Sequence, residues 1–285
     1  MFLLIGYVII IAASVGTYAV HGSLAALFVP MEYLAIVGLT IGSFVAGNSN
    51  KAFKATISAL PSVLSGSPFN KALYMELLAM LYEILGKVRK EGLMSIEGDI
   101  ENPENSPIFT KYPTIVKDHH VMEFITDYLR MMVGGNLNAF EIENLMDLEI
   151  ETHHNEAHLP AHVMAKTADA LPAFGIIVAV MGVVNVMGSV GEPPAVLGKM
   201  IGGALVGTFL GILISYGFVS PIATQLEQKA EVGGKIYQCI KAVLLASMNG
   251  YAPQVAVEFG RKVLYSADRP GFLELEEDLK ARKGK

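Results

Sequence analysis

The side chains with the clearest capacity for chemistry are four histidines that lie close together: His153, His154, His158 and His162. On a helix the last three would share a face, with Glu149 or Glu151 one turn earlier, and imidazole and carboxylate groups are common zinc ligands. Pro160 interrupts that helical spacing, no HExxH pairing occurs, and the pair His119 and His120 shows that histidine is used freely here. We interpret the cluster as solvated polar side chains near a membrane, and expect no metal.

Sequence motifs of known active sites give no reason to expect catalysis. No glycine-rich phosphate loop precedes a helix, and no GxSxG nucleophile elbow occurs. The sequence therefore predicts that the chain is not an enzyme and uses no cofactor. A membrane enzyme with a metal bound by the segment 153–162 stays open as an alternative.

Two prolines, Pro172 and Pro221, lie beside apolar segments and could act mechanically. Pro172 would fall in the first turn of a helix, where a missing N–H costs nothing, and Pro221 could mark a kink that has no role. The second interpretation is that paired kinks at one membrane face form a gate or hinge.

The elements that must position these residues are four apolar runs, near residues 2–20, 33–46, 169–188 and 200–219. A helix of about 20 residues crosses the roughly 30 Å of bilayer hydrocarbon, so each run is a candidate span, and the second is the shortest. The first run has no basic segment before it, which favours an uncleaved span over a signal peptide. A mean hydropathy of +0.46 also favours a membrane protein.

Beyond Asp169, at the start of the third run, the four apolar runs contain no carboxylate. Because proton and sodium pathways usually need an ionisable group at depth, we expect a partner to supply it. Gly203, Gly207 and Gly211 would share one helix face and allow another helix to approach closely in lipid. That face is the natural place for the partner's helix.

Outside the apolar runs, hydrophobic residues recur at helical spacing and no strand alternation is long enough to trust. One stripe, Leu73 to Val88, ends at Gly92. Asp118 is a candidate cap for a second helix that ends at Gly134 and Gly135. A further helix begins near Asn138, and helical spacing continues beyond residue 221 to residues 249–250.

The predicted fold is an all-α membrane protein with four transmembrane helices, a large cytoplasmic helical loop and a cytoplasmic C-terminal helical tail. Residues 1–47 would form transmembrane helices 1 and 2, residues 48–168 the loop domain, residues 169–221 helices 3 and 4, and residues 222–285 the extension and tail. Of the 21 lysines and arginines, all but Lys199 lie in the loop or after Pro221. The positive-inside rule therefore predicts an inner-membrane protein with both termini in the cytoplasm. A net charge of −6 gives no reason to expect nucleic acid.

Long stretches of the chain resemble the MotA family of flagellar motor stator proteins, within the MotA/TolQ/ExbB proton channel superfamily. The matching segments are Asp169-Ala-Leu-Pro-Ala-Phe-Gly, Val206-Gly-Thr-Phe-Leu-Gly-Ile-Leu, Tyr216-Gly-Phe-Val-Ser-Pro, Glu97-Gly-Asp-Ile-Glu-Asn-Pro and Glu258-Phe-Gly-Arg-Lys-Val-Leu-Tyr-Ser. The resemblance implies a pentameric ring around two copies of MotB, which brings an essential membrane aspartate and grips peptidoglycan. Ion flow would then turn the rotor through the switch protein FliG.

The resemblance also implies roles for particular residues. Rotor-facing charges fall on Arg89 and Glu97, with Glu149 as a further candidate, and the family's functional prolines fall on Pro172 and Pro221.

The resemblance bears on the transported ion as well. Sodium-driven relatives place a threonine where this chain has Ala179, while the matching hydroxyl on the fourth span, Thr208, is present. Fewer oxygen ligands favour protons over sodium, and sodium is the alternative. An energy transducer like ExbB or TolQ is the second interpretation, although those proteins generally have three spans rather than four.

Overall fold

The computed structural model describes residues 2–283, apart from the side chains of His21 and Lys283. Within that range every regular element is helical, and no strand occurs. The α-helices are α1 (Phe2–Ile11), α2 (Thr17–His21), α3 (Leu24–Leu27), α4 (Pro30–Gly47), α5 (Asn50–Ala59), α6 (Lys71–Glu91), α7 (Glu97–Glu101), α8 (Pro113–Val116), α9 (His119–Gly134), α10 (Ala139–Met187), α11 (Pro194–Ile214), α12 (Ser220–Met248), α13 (Pro253–Val263) and α14 (Phe272–Lys283). Two π-helical turns, Ala12–Gly16 and Ser215–Val219, join α1 to α2 and α11 to α12.

Four helical segments are long and apolar enough to cross a membrane, as predicted. The first two are Phe2–Val20 and Leu24–Gly47, the third lies within α10, and the fourth begins at Pro194. In the most apolar windows of the first two segments, 0% and 6% of the residues are buried within the chain. Their apolar side chains are therefore left to contact lipid or other chains.

The second span is longer than the apolar run at 33–46, and this corrects one prediction. Pro30 is the first residue of α4, and Glu32 lies in its first turn. The apolar segment from Leu24 extends the span on the other side of Glu32. The candidate span therefore includes Glu32, which lies outside the predicted run at 33–46.

The chain divides into two units, and unit 1 comprises residues 1–66 and 157–228. One cluster of buried side chains joins α4, α10 and α11: Ile36, Leu171, Val178, Val206 and Leu210. A second cluster joins the 3₁₀ turn Leu60–Leu64 to α10 and α12: Val63, Ala161, Met164, Ala223 and Leu226. Unit 1 thus contains the described parts of all four spans.

Unit 2 comprises residues 67–156 and 229–285. Its core includes the predicted stripe on α6, and Gly92, at a φ of +87°, ends that helix. Asp118 caps α9 by accepting a hydrogen bond from the Val121 amide at 3.2 Å, and Gly135, at a φ of +65°, follows the helix. These helix boundaries confirm the predicted ones, because the cap and the left-handed glycines act locally.

Helix α10 is continuous for 49 residues, with Pro160 and Pro172 inside it. The expectation that Pro160 breaks the helical spacing is therefore wrong. A proline removes one main-chain hydrogen bond and bends a helix, but the turns on either side keep theirs. Since α10 begins at Ala139, Pro172 is not a helix-start proline either.

Candidate functional site

The third and fourth spans cross with their backbones in direct contact. A Cβ added to Gly211 would lie 2.8 Å from both the Leu171 carbonyl oxygen and the Gly175 Cα, and one added to Gly175 would lie 2.7 Å from the Gly207 carbonyl oxygen. No side chain fits at these positions. Gly203 has nothing within 4 Å of such a Cβ and does not contribute to this crossing. Sequence reasoning missed Gly175, which lies on the opposite helix.

The carbonyl group that Pro172 leaves without a helical donor is hydrogen-bonded to the π-helical turn after α11. Its nitrogen carries no hydrogen, so the Ala168 carbonyl four residues earlier lacks its usual helical donor. Ser215 Oγ donates to that oxygen at 2.6 Å, and Ser215 is fully buried. Sequence reasoning did not identify Ser215. The available signal was the unsatisfied carbonyl that a proline inside a helix always leaves.

Pro221 follows the second π-helical turn, Ser215–Val219. Such turns widen a helix by one residue and are frequent at functional sites. The Phe218 carbonyl oxygen in this turn accepts a hydrogen bond from Tyr7 Oη at 2.8 Å, and the two rings lie 4.9 Å apart. The first span is therefore attached to the irregular segment that precedes Pro221.

Ala179 and Thr208 lie on neighbouring turns of the same helix crossing. The Ala179 amide nitrogen is 3.3 Å from the position of a Cβ on Gly207, and the Thr208 Cα is 3.3 Å from that of a Cβ on Gly175. Ala179 is buried, whereas Thr208 is partly exposed. Within residues 2–283 the Thr208 hydroxyl makes no side-chain hydrogen bond, unlike Thr167, which donates to the carbonyl four residues earlier. The Thr208 hydroxyl is thus available to the crossing.

A carboxylate from α4 reaches this crossing. Oε2 of Glu32 lies 3.3 Å from the position of a Cβ on Gly207, and Oε1 lies 3.7 Å from that of a Cβ on Gly182. Oε2 is buried and has no hydrogen-bond partner among the described residues. Because Gly182 and Gly207 have no side chains, they leave the space that the carboxylate occupies.

The predicted rotor-facing charges Arg89 and Glu97 lie at the two ends of a turn in unit 2. Arg89 is in the last turn of α6 and Glu97 is the first residue of α7, and both side chains are exposed. Among the described residues neither makes an ion pair or a side-chain hydrogen bond. Between them, Leu93 and Met94 are 38% and 63% exposed. Two unpaired charges flanking exposed apolar side chains are suited to contact another protein.

The turn is held from inside by Asp99, which is buried. Its Oδ2 accepts from Lys87 Nζ at 2.8 Å, and its Oδ1 accepts from Ser106 Oγ at 2.6 Å. Ser106 Oγ in turn accepts from the amides of Ile108 and Phe109 at 3.1 and 3.2 Å. This network fixes the start of α7. It was not predicted, because the sequence does not show which of several loop carboxylates is buried.

Glu149, the third predicted rotor contact, is engaged within unit 2. Tyr128 Oη donates to its Oε2 at 2.7 Å, and His153 Nε2 lies 3.6 Å from its Oε1. Burial, together with this bond to a carboxylate, raises the pKa of Tyr128. Glu149 therefore has internal partners that Arg89 and Glu97 lack.

The histidines of the cluster occupy different environments. His153 stacks on the Tyr237 ring, with centroids 4.8 Å apart and planes 6° from parallel. His154 and His162 are exposed, and His158 is partly buried. In unit 2 a ring nitrogen of His154 lies within 4.8 Å of a Glu231 carboxylate oxygen. His153 thus packs as an aromatic side chain beside the Glu149 carboxylate, and His154 lies beside the Glu231 carboxylate.

The structure combines four candidate membrane spans with a close helix crossing that a hydroxyl and a carboxylate reach. It also has a separate helical unit with exposed charges. These features define a class of membrane protein. Such a chain is a membrane channel or transducer subunit.

Comparison with known proteins specifies the family. Residues 4–92 match the sequence model for the Motility protein A N-terminal region, and residues 117–238 match that of the MotA/TolQ/ExbB proton channel family. Motility protein A of Escherichia coli strain K12 is 52% identical over 284 residues, covering 99% of this chain and 96% of that protein. Motility protein A of Salmonella typhimurium strain LT2 is 51% identical over 282 residues, with the same coverage. The chain therefore belongs to the motility protein A family, as its resemblance indicated.

Solved structures agree with the fold. A chain in the structure of MotAB from C. jejuni superposes with a TM-score of 0.75 at 21% identity, covering 94% of this chain and 98% of that one. A chain of the flagellar MotAB stator complex from Bacillus subtilis gives a TM-score of 0.70 at 26% identity, with coverage of 90% and 92%. The all-α fold with four membrane helices is confirmed.

Proposed function

We propose that this chain is the stator subunit of a bacterial flagellar motor, which forms with MotB a channel that converts proton flow into torque. The observation that carries the proposal is the 52% identity to a Motility protein A over essentially the whole chain. The two similar structures are described as MotAB complexes, which supports MotB as the partner.

In this proposal the crossing of α10 and α11 is the wall of the ion path. Gly175, Gly207 and Gly211 bring the two backbones together, so that the third and fourth spans form one rigid wall facing the partner's helix. The partner's aspartate carries the ion past Thr208 and Ala179. At Gly203 no other described segment lies within 4 Å of the position of a Cβ, so this position can accept a side chain or helix of another chain.

Pro172 and Pro221 act as hinges between the ion path and the rest of the chain. Helix α10 continues through Pro172, and α12 begins one residue before Pro221. A change of bend at either proline is transmitted along an unbroken helix. The hydrogen bond from Ser215 to Ala168 couples the two hinges, because it joins the carbonyl released by Pro172 to the turn that leads to Pro221.

The rotor contact is the turn that carries Arg89 and Glu97, and its partner is FliG. The exposure of both side chains and the absence of internal ion pairs within the described residues support this assignment. Glu149 is a further candidate contact, although its carboxylate already has Tyr128 and His153 as partners. A pentameric ring of chains is consistent with the first two spans, whose apolar side chains are almost wholly unburied within one chain.

We assign protons rather than sodium as the transported ion. Ala179 supplies no hydroxyl to the crossing, which leaves Thr208 alone where two oxygens would help to strip water from a sodium ion. Tethered cells should spin without sodium and stop when a protonophore is added. Rotation that follows external sodium would show the assignment to be wrong.

The orientation places both termini and residues 48–168 in the cytoplasm and the chain in the inner membrane. The distribution of lysine and arginine supports it. Cysteine substitutions test it, because the native Cys239 is fully buried. Gly191→Cys should react with an impermeant thiol reagent added outside, and Asn105→Cys should not. The reverse pattern would overturn the orientation and the rotor contact with it.

The proposal as a whole is tested by deletion and co-purification. Loss of the chain should abolish swimming while flagella still assemble, and the tagged chain should co-purify with MotB. An ExbB-like or TolQ-like transducer would instead leave swimming intact. The metal-enzyme alternative rests on the histidines of segment 153–162, and stoichiometric zinc or iron in the purified complex is the result that would favour it.

A further inference from the structure

The unpartnered carboxylate of Glu32 is the feature that the proposed mechanism does not use. It lies inside the span Leu24–Gly47, and its Oε2 is buried without a hydrogen-bond partner among the described residues. Although the residue as a whole is partly exposed, burial of an ionised carboxylate oxygen without a partner is unfavourable. Carboxylates inside membrane spans therefore tend to mark ion and proton pathways.

This carboxylate lies along α10 and α11, away from the ends of these two helices. At 1.5 Å per residue, Gly182 lies about 8 Å and Gly207 about 20 Å from the helix ends that face the link between α10 and α11. Glu32 reaches between these two glycines. It therefore lies at the same crossing as Ala179 and on the side of Thr208 that faces the link.

No other charged side chain of α10 or α11 is near this position. The nearest along α11 is Lys199, two turns before Gly207, and the nearest along α10 is Asp169, about 20 Å from Gly182. A permanent counter-ion from these helices is thus absent. A proton is the species that neutralises such a carboxylate with no further group.

We propose that Glu32 is a second proton-carrying residue of the channel, placed between the link side of the membrane and the partner's aspartate; this rests on the proposed function. A hydronium ion gives up a proton: one of its O–H bonds breaks, which leaves water, and an O–H bond forms at Glu32 Oε2. That bond then breaks as the proton passes, directly or through water, to the carboxylate of the partner's aspartate, and Glu32 returns to its ionised form. No electrons are transferred, and no co-reactant is needed.

The first experiment measures proton uptake into vesicles that contain the complex with MotB. Glu32→Gln keeps the size of the side chain but cannot carry a proton, whereas Glu32→Asp keeps the carboxylate and shortens its reach. The matched control is Glu192→Gln, the same chemical change at an exposed residue between α10 and α11. We expect Glu32→Gln to lower the flux at least about tenfold, since a positioned proton-transfer group contributes about 10²–10⁴-fold, and Glu32→Asp to restore part of it.

The outcomes separate this inference from the function on which it rests. If the unaltered complex and the Glu192→Gln control carry no protons, the proposed channel function is wrong. If both conduct and Glu32→Gln conducts equally well at normal co-purification with MotB, Glu32 only fills space and the inference is overturned.

A second measurement uses the unaltered complex, and decides the case if Glu32→Gln fails to assemble. An apolar carbodiimide reacts with protonated carboxyl groups in apolar surroundings, and mass spectrometry identifies the modified residue. We expect an adduct on Glu32 that forms more slowly as the pH rises and that blocks proton uptake. Modification of the partner's aspartate with none on Glu32 would overturn the inference.

Discussion

The hydrogen bond from Ser215 to Ala168 gives a sharp test of how Pro172 works. In the native chain, Ser215→Ala leaves the buried Ala168 carbonyl without a donor, which costs about 1–3 kcal/mol. In a Pro172→Leu background the restored N–H at position 172 satisfies that carbonyl. Ser215→Ala should then destabilise the complex by at most a few tenths of its cost in the native background. The expected coupling energy is about 1 kcal/mol, towards the lower end because polar pairs between membrane helices average about 0.6 kcal/mol.

The coupling is measured as a double-mutant cycle on the unfolding of the detergent-solubilised complex. Thr167→Ala is the control, because Thr167 donates to the Val163 carbonyl, which no proline deprives of its helical donor. Its small cost should be the same in both backgrounds. Additive costs for Ser215→Ala and Pro172→Leu would refute the reasoning. In cells, the Pro172→Leu chain should still co-purify with MotB, but tethered cells that carry it should not rotate. Rotation at the usual speed would show that Pro172 has no mechanical role.

Three further predictions concern packing and contact. Charge reversal of Arg89 and Glu97 together should impair motility far more than either neutralisation, since exposed ion pairs contribute only about 0.2–1 kcal/mol each, and matched reversal on FliG should partly rescue it; normal swimming of the double reversal would exclude a torque role. Gly211→Ala should weaken the complex in detergent, because its Cβ would lie 2.8 Å from backbone atoms, whereas Gly203→Ala meets nothing within 4 Å of this chain; equal effects would contradict the crossing. Asp99→Ala should destabilise unit 2 by about 2–3 kcal/mol in denaturant unfolding, less than the about 3–5 kcal/mol of a fully buried pair because its lysine partner is 28% exposed; an unchanged midpoint would show that the network does not hold the turn.

The parts of the fold that depend on local signals could be predicted from the sequence. Apolar runs of sufficient length identified the four spans, and Asp118, Gly92 and Gly135 marked the helix ends, because a cap or a left-handed glycine acts within one turn. The glycine spacing on α11 indicated a close helix approach. It did not show that only Gly207 and Gly211 meet α10 within the chain.

The remaining features depend on contacts between distant residues. The sequence shows that Pro172 removes a donor from the Ala168 carbonyl, but it does not show that Ser215, 47 residues after Ala168, replaces that donor. In the sequence Glu32 directly precedes the apolar run at 33–46, which does not show where its carboxylate lies. In the structure, glycines on two other helices leave space for its carboxylate. For the same reason, the burial of Asp99 depends on Lys87 and Ser106 rather than on its own segment.

Proton flux in reconstituted vesicles tests the central claim most directly. Vesicles containing this chain together with MotB should take up protons when a potential is applied. Vesicles with the chain alone, or with MotB whose membrane aspartate is replaced by asparagine, should not. Uptake by the chain alone at the rate of the complex, or undiminished uptake with the asparagine variant, would contradict the account of a stator channel completed by its partner.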